Sequence, residues 1–146
     1  MSKPEHRPGG PGSVHAVVQP QDWAPTKGYS NGILVAGAGR LLFVAGQVAW
    51  DEKGKLVGVD DFAAQFAQAL RNVVAVVTAA GGKPEHVARM TIYVKDKREY
   101  AARTAEIGAA WRGILGRHYP AMALVQVADL LEPGARVEIE ATAALP

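Results

Sequence analysis

Two stretches near the C-terminus constrain this chain most: His118-Tyr119-Pro120-Ala121-Met122-Ala123-Leu124-Val125-Gln126-Val127 and Val137-Glu138-Ile139-Glu140-Ala141-Thr142-Ala143. Both alternate with period two and draw on β-branched residues, the pattern of strands whose side chains point to opposite faces. Pro133-Gly134 between them marks a turn. The reading is two antiparallel strands that close the domain. Glu138 and Glu140 stand at i and i+2, so their side chains share one strand face about 6.6 Å apart. Like charges at that spacing can raise one carboxyl pKa, which serves proton transfer near neutrality. Spacing alone favours the plainer reading, two acids on a solvated face.

Upstream, Val14 to Val18 reads as an edge strand, and Gln21 to Gly28 as a loop rich in turn formers. A strand opens at Tyr29 and runs through Ala36, and Gly37 to Arg40 makes a hairpin turn. Leu41 to Val48 is apolar on both faces, which predicts that both are covered. Asp60 to Ala80 is a helix: Phe62, Phe66, Leu70, Val73 and Val77 form one apolar stripe. Asp60 is placed to cap it, Asp61 suits the positive dipole end, and Gly81-Gly82 stops it. Val87 to Lys95 alternates again as a strand. Asp96 caps a second helix whose stripe is Tyr100, Thr104, Ile107, Trp111 and Ile114, ending at Gly116. The order is β-β-β-α-β-α-β-β, a single α+β domain over residues 13–146 with two helices on one face of a mixed sheet. Two helices cover one face only. The other needs a second chain, so periodicity predicts something other than a monomer.

Composition narrows the function. A chain of 146 residues with 49% apolar content suits one globular core. A formal charge of +2, with no Lys/Arg run, gives no nucleic-acid footprint. There is no cysteine, and the four histidines lack zinc-site spacing. No phosphate-binding loop or nucleophile elbow is present, so neither a metal nor another cofactor is expected. Residues 1–12 read as a flexible tail, neither signal peptide nor membrane span. A soluble, cytoplasmic protein that does not contact membranes is the simplest expectation.

Tyr119 to Val127, taken with Ala135 to Leu145, resembles the C-terminal signature of the RidA (YjgF/YER057c/UK114) family. There a Pro-Ala-Arg sequence precedes a strand containing Glu-Ile-Glu-Ala. Gly28-Tyr29-Ser30-Asn31 is similar to the family's Gly-Pro-Tyr-Ser-Gln motif, and Leu42-Phe43-Val44-Ala45-Gly46-Gln47 to its Leu-Phe-Val-Ser-Gly-Gln strand. The likeness runs colinearly over roughly residues 25–144. It implies a chorismate-mutase-like (YjgF-like) fold, a homotrimer whose sheets form a central barrel, and small-molecule clefts between neighbouring subunits.

The resemblance also implies chemistry: hydrolysis of a short-lived enamine or imine of a 2-amino acid to the 2-keto acid and ammonia. Glu138 aligns with the glutamate that holds the attacking water, and Glu140 serves structure or subunit contacts. Tyr29 matches a tyrosine facing the ligand, with a seam aromatic as the alternative. Gly46 and Gln47 match the small residue and glutamine of the strand, where glycine allows close backbone approach. One departure stands out. The arginine of Pro-Ala-Arg is Met122 here. A bidentate arginine–carboxylate pair contributes on the order of 1.5–3 kcal/mol per bond, and a thioether cannot make it. Lys27, His118 or Arg40 can substitute as a cation, though each also reads as an ordinary surface group. Otherwise Met122 lines a cleft for a more apolar ligand, or the site binds without reacting. The candidate site is thus Glu138 with Tyr29, Gly46, Gln47, Met122, Lys27 and His118. The readings are an imine or enamine deaminase with a substrate other than the 2-imino acids, or a non-catalytic small-molecule binding or regulatory protein. Ribonuclease activity, sometimes attached to the family, finds no basic groove or His pair here.

Overall fold

The alternating segments divide between two sheets in a computed structural model that describes residues 5–37 and 39–146, apart from 9–14, with backbone alone at 5–8. Strands β1 (Glu5–Pro8), β2 (His15–Gln19) and β3 (Gly32–Val35) form an antiparallel sheet in that order. Strands β4 (Arg40–Gln47), β5 (Val87–Val94), β6 (Ala121–Gln126) and β7 (Val137–Leu145) form the main sheet in the order β4-β7-β5-β6. It is mixed: β5 and β6 are parallel, and β7 runs antiparallel to both β4 and β5. The tail expected over residues 1–12 lies outside the described residues except for Glu5–Pro8, whose backbone pairs with β2.

Three expectations change. The two C-terminal strands do not pair; β5 lies between them, and β6 is the sheet edge. Gly37 to Arg40 does not close a hairpin, because β3 pairs with β2 and β4 with β7. The segment around Val14 to Val18 is no edge either, since β2 sits between β1 and β3. Period two reports which face a side chain occupies. It is silent on which strand lies alongside.

Helix α1 (Phe62–Ala79) buries Phe62, Phe66, Leu70, Val73 and Val77 across β7 and β4 and against α3 (Thr104–Leu115). Each such side chain contributes roughly 1.5–3 kcal/mol on leaving water. The cap is Asp61, whose carboxylate accepts from the Ala64 N–H at 3.1 Å. Asp60, expected in that role, instead has a left-handed φ of 65° and meets Arg136 at 3.0 Å. The second helix splits at Arg103 into α2 (Lys97–Ala102) and α3, with Asp96 capping α2 through the Arg98 N–H.

The helices cover one face of the main sheet. There Val44, Met90, Ile92, Val137 and Ile139 are buried. The opposite face presents Leu41, Phe43, Arg89, Thr91, Tyr93, Glu138, Glu140 and Thr142, set by the alternating register. Phe43 is 76% exposed and Leu41 62%. That face, apolar at Leu41 and Phe43 and polar toward Glu138, is open in a single chain.

Candidate functional site

The register separates the sequence-derived site residues into two groups. The first surrounds Glu138. Between Val44 and Gln47 the β4–β7 register shifts, and Gly46 comes beneath the Glu138 side chain. A Cβ at Gly46 would lie 2.9 Å from the Glu138 carboxyl carbon and 3.1 Å from its Cγ. Gly46 therefore leaves the space the carboxylate occupies. Gln47, next along, stands opposite Ile139 and donates to the Ala45 carbonyl at 3.0 Å. Glu140, two residues on, accepts from the Tyr93 hydroxyl at 2.6 Å. That bond, followed by desolvation and the carboxylate's charge, pushes the Tyr93 phenol up. Glu140 is engaged with a neighbouring strand, while Glu138 projects over a glycine.

The second group gathers at the exposed β6 edge. Ser30 is buried, and its hydroxyl donates to the Tyr119 carbonyl at 2.6 Å while its N–H donates to Pro120 O at 3.1 Å. These bonds fasten the loop carrying Tyr29 to the start of β6. Tyr29, Ser30, Asn31, Arg89, Ala121, Met122 and Ala123 line a hollow of about 300 Å³ there. Lys27 and Met122 also line a separate cavity on the helix side. Within one chain Glu138 lines neither of these hollows.

His118 lines neither hollow as well. Its Nε2 lies 2.7 Å from the Val87 carbonyl, and burial pushes its pKa down. A neutral ring tied to backbone is a poor substitute for a guanidinium. Arg40 is likewise bonded to the Ala80 carbonyl at 3.2 Å.

Arg89 went unselected by sequence reasoning, although its strand was recognised. In the β5–β6 ladder Arg89 stands opposite Ala121 and Met90 opposite Met122. Arg89 and Met122 thus project to opposite faces. Among the described residues Arg89 makes no hydrogen bond or ion pair, whereas Arg98, Arg103 and Arg136 are all paired with carboxylates. The signal was available: alternation puts Arg89 on the face of Tyr93, but only the register shows that it borders the Tyr29 hollow. Among the described residues no cluster of three or more His, Asp or Glu can hold a metal, and no helix is long and apolar enough to cross a membrane.

Known proteins share this sequence pattern and this fold. The sequence model of the endoribonuclease L-PSP family matches residues 20–145. A 2-iminobutanoate/2-iminopropanoate deaminase of Salmonella typhimurium is 34% identical over 108 residues, covering 72% of this chain and 80% of its own. Protein DfrA of Myxococcus xanthus is 32% identical over 131 residues, 90% of this chain and 93% of its own. Among solved structures, the Rid-family protein YyfB of Yersinia pestis, of unknown function, superposes with a TM-score of 0.78 at 36% identity, covering 91% of this chain and all of that one. The YjgF product of E. coli gives 0.60 at 32% identity, covering 80% and 87%. The chain belongs to the endoribonuclease L-PSP family, which is the YjgF/RidA family.

Proposed function

We propose that this protein is a RidA-type hydrolase of imines or enamines. It works as a soluble, cytoplasmic homotrimer, in clefts where the Tyr29–Met122 edge of one copy meets Glu138 of the next. No metal or other cofactor takes part. An imine carbon is already electrophilic, so the protein's task is to place a water and manage its protons. Glu138 accepts a proton as water adds to the C=N carbon, then returns it to nitrogen. The resulting carbinolamine expels ammonia and leaves the carbonyl compound. Similarity to the 2-iminobutanoate/2-iminopropanoate deaminases supports the reaction class.

The observation that carries the substrate reading is Met122. By the resemblance to the Pro-Ala-Arg motif, a half-buried thioether stands in for the family's arginine at the hollow below Tyr29, so a 2-imino acid carboxylate finds no cation at that position. Arg89 borders the same hollow but projects from the sheet face opposite Met122, so it does not stand in the arginine's position. The substrate is therefore a C=N compound with an apolar group against Met122 rather than a small 2-imino acid.

The test compares 2-aminoacrylate generated in situ with an aliphatic ketimine that has no carboxylate. Faster decay of the ketimine alone, abolished in Glu138→Gln, is expected, and Met122→Arg should shift the preference to 2-aminoacrylate. Equal acceleration of both by the wild type would contradict the substrate reading. Acceleration of neither would favour the second reading, a binding or regulatory protein that kept the cleft and lost the chemistry, which the loss of charge at Met122 also favours.

A further inference from the structure

We propose that the cavity between α3 and the β5–β6 edge is a second small-molecule site, formed within one subunit, for an organic carboxylate bearing an aromatic or branched apolar group. Its volume is about 560 Å³, within the range of about 300–1,000 Å³ typical of ligand sites. It shares only Met122 with the Tyr29 hollow, and it does not depend on assembly or on Glu138.

The walls define the apolar part of the ligand. Trp111 and Tyr119 stack with ring centres 6.0 Å apart and planes 7° from parallel. Phe66 and Tyr100 lie 6.3 Å apart and tilted. All four border the cavity, with Ile92, Ile107 and Met122. The Trp111 indole N–H is already donated to the His118 carbonyl at 3.0 Å, so this ring offers its surface rather than a donor.

The charges define the polar part. Lys27 and Arg112 are both exposed and both line the cavity, and no Asp or Glu does. Neither forms an ion pair among the described residues. Two cations beside an apolar chamber without a countercharge fit one anionic head on an apolar body.

Gly108 adds an independent sign. A glycine inside a helix is less stable than an alanine would be, yet one stands in the middle of α3, on the cavity wall. A Cβ there would meet only the Arg112 Nη1, at 3.3 Å. The space beyond is open, and a larger side chain would fill it.

Calorimetric titration of the full chain with phenylacetate, phenylacetamide and 2-phenylethylamine tests this. Phenylacetate should bind saturably and at least tenfold more tightly than the amide, with the amine weaker still. The Lys27→Ala/Arg112→Ala double variant should lose at least tenfold for phenylacetate. Gly108→Leu should abolish binding while raising or preserving helicity by circular dichroism. Glu138→Gln should bind phenylacetate like the wild type, which separates this site from the proposed cleft. Equal binding of acid and amine, absence of saturable phenylacetate binding, or retention in Gly108→Leu would overturn the proposal. If Gly108→Leu does not fold, the double variant at the two exposed positions decides.

Discussion

The Glu138 carboxyl group lies over Gly46, so close that a Cβ there would stand 2.9 Å from its carboxyl carbon. Two residues far apart in sequence thus define one another: the register shift in β4 sets the glycine where β7 delivers the acid.

Gly46→Ala tests that relationship. The obstructing atoms are the far end of a flexible side chain, so the carboxylate should swing away without parting the strands. Stability should change by less than about 1 kcal/mol, while any imine-hydrolysing activity falls on the order of 100-fold. Thermal melts and turnover measured side by side check this. Wild-type turnover in the variant would show that the carboxylate's position over Gly46 is irrelevant.

Gln65 holds β7 in place from the helix layer. Its side chain is fully buried, donates to the Gly134 and Gly58 carbonyls at 3.0 and 3.3 Å, and accepts from the Arg136 N–H at 2.8 Å. Arg136 is also held by Glu99 at 2.7 Å and Asp60 at 3.0 Å. Gln65→Leu keeps the volume and takes this partner from the Gly134 carbonyl and the Arg136 N–H, while the Gly58 carbonyl keeps the Asp61 N–H. A loss of about 2 kcal/mol is expected, seen as a fall in Tm of roughly 5 °C. An unchanged melt would show that water or a rearranged loop takes over.

Acid should weaken the fold before its carboxylates titrate. Burial pushes the His118 pKa down, outweighing the Val87 carbonyl, and does the same at His15 against Ala144. Free imidazole titrates near 6.5, so below that value the unfolded chain takes up more protons than the folded one. The stability linked to these rings is complete above about pH 6.5 and is lost as pH falls toward their folded values. Asp96, Glu106 and Asp129, all shifted down, act only below about pH 4. Melts between about pH 7.5 and about pH 5.5 should fall steadily, and His118→Gln should flatten the fall. An identical slope in the variant would remove His118 as the cause.

Local pattern carried much of this fold into view. The stripe from Phe62 to Val77 marked α1, and alternation placed Arg89, Thr91 and Tyr93 on one face of β5. Pairing was another matter. Nothing near Val127 or Val137 says that a strand some 40 residues earlier lies between them, because that contact is settled by packing under α1 and α3. The break at Arg103 was hidden for a different reason: no Gly or Pro marks it, and the apolar stripe runs through it. At the site, motif likeness brought out Glu138, Gly46, Tyr29 and Met122. Arg89 and Arg112 belong to no motif, and only the register and the helix packing reveal which hollows they border.

The proposed cleft exists only where two copies meet, and the open sheet face with Leu41 and Phe43 is what a neighbour would cover. Sedimentation equilibrium at micromolar concentration tests this most directly. The account predicts a single species of about three times the 15.4 kDa chain mass. A species at 15.4 kDa across the same range would contradict it, since Glu138 and the Tyr29–Met122 edge would then never share a site.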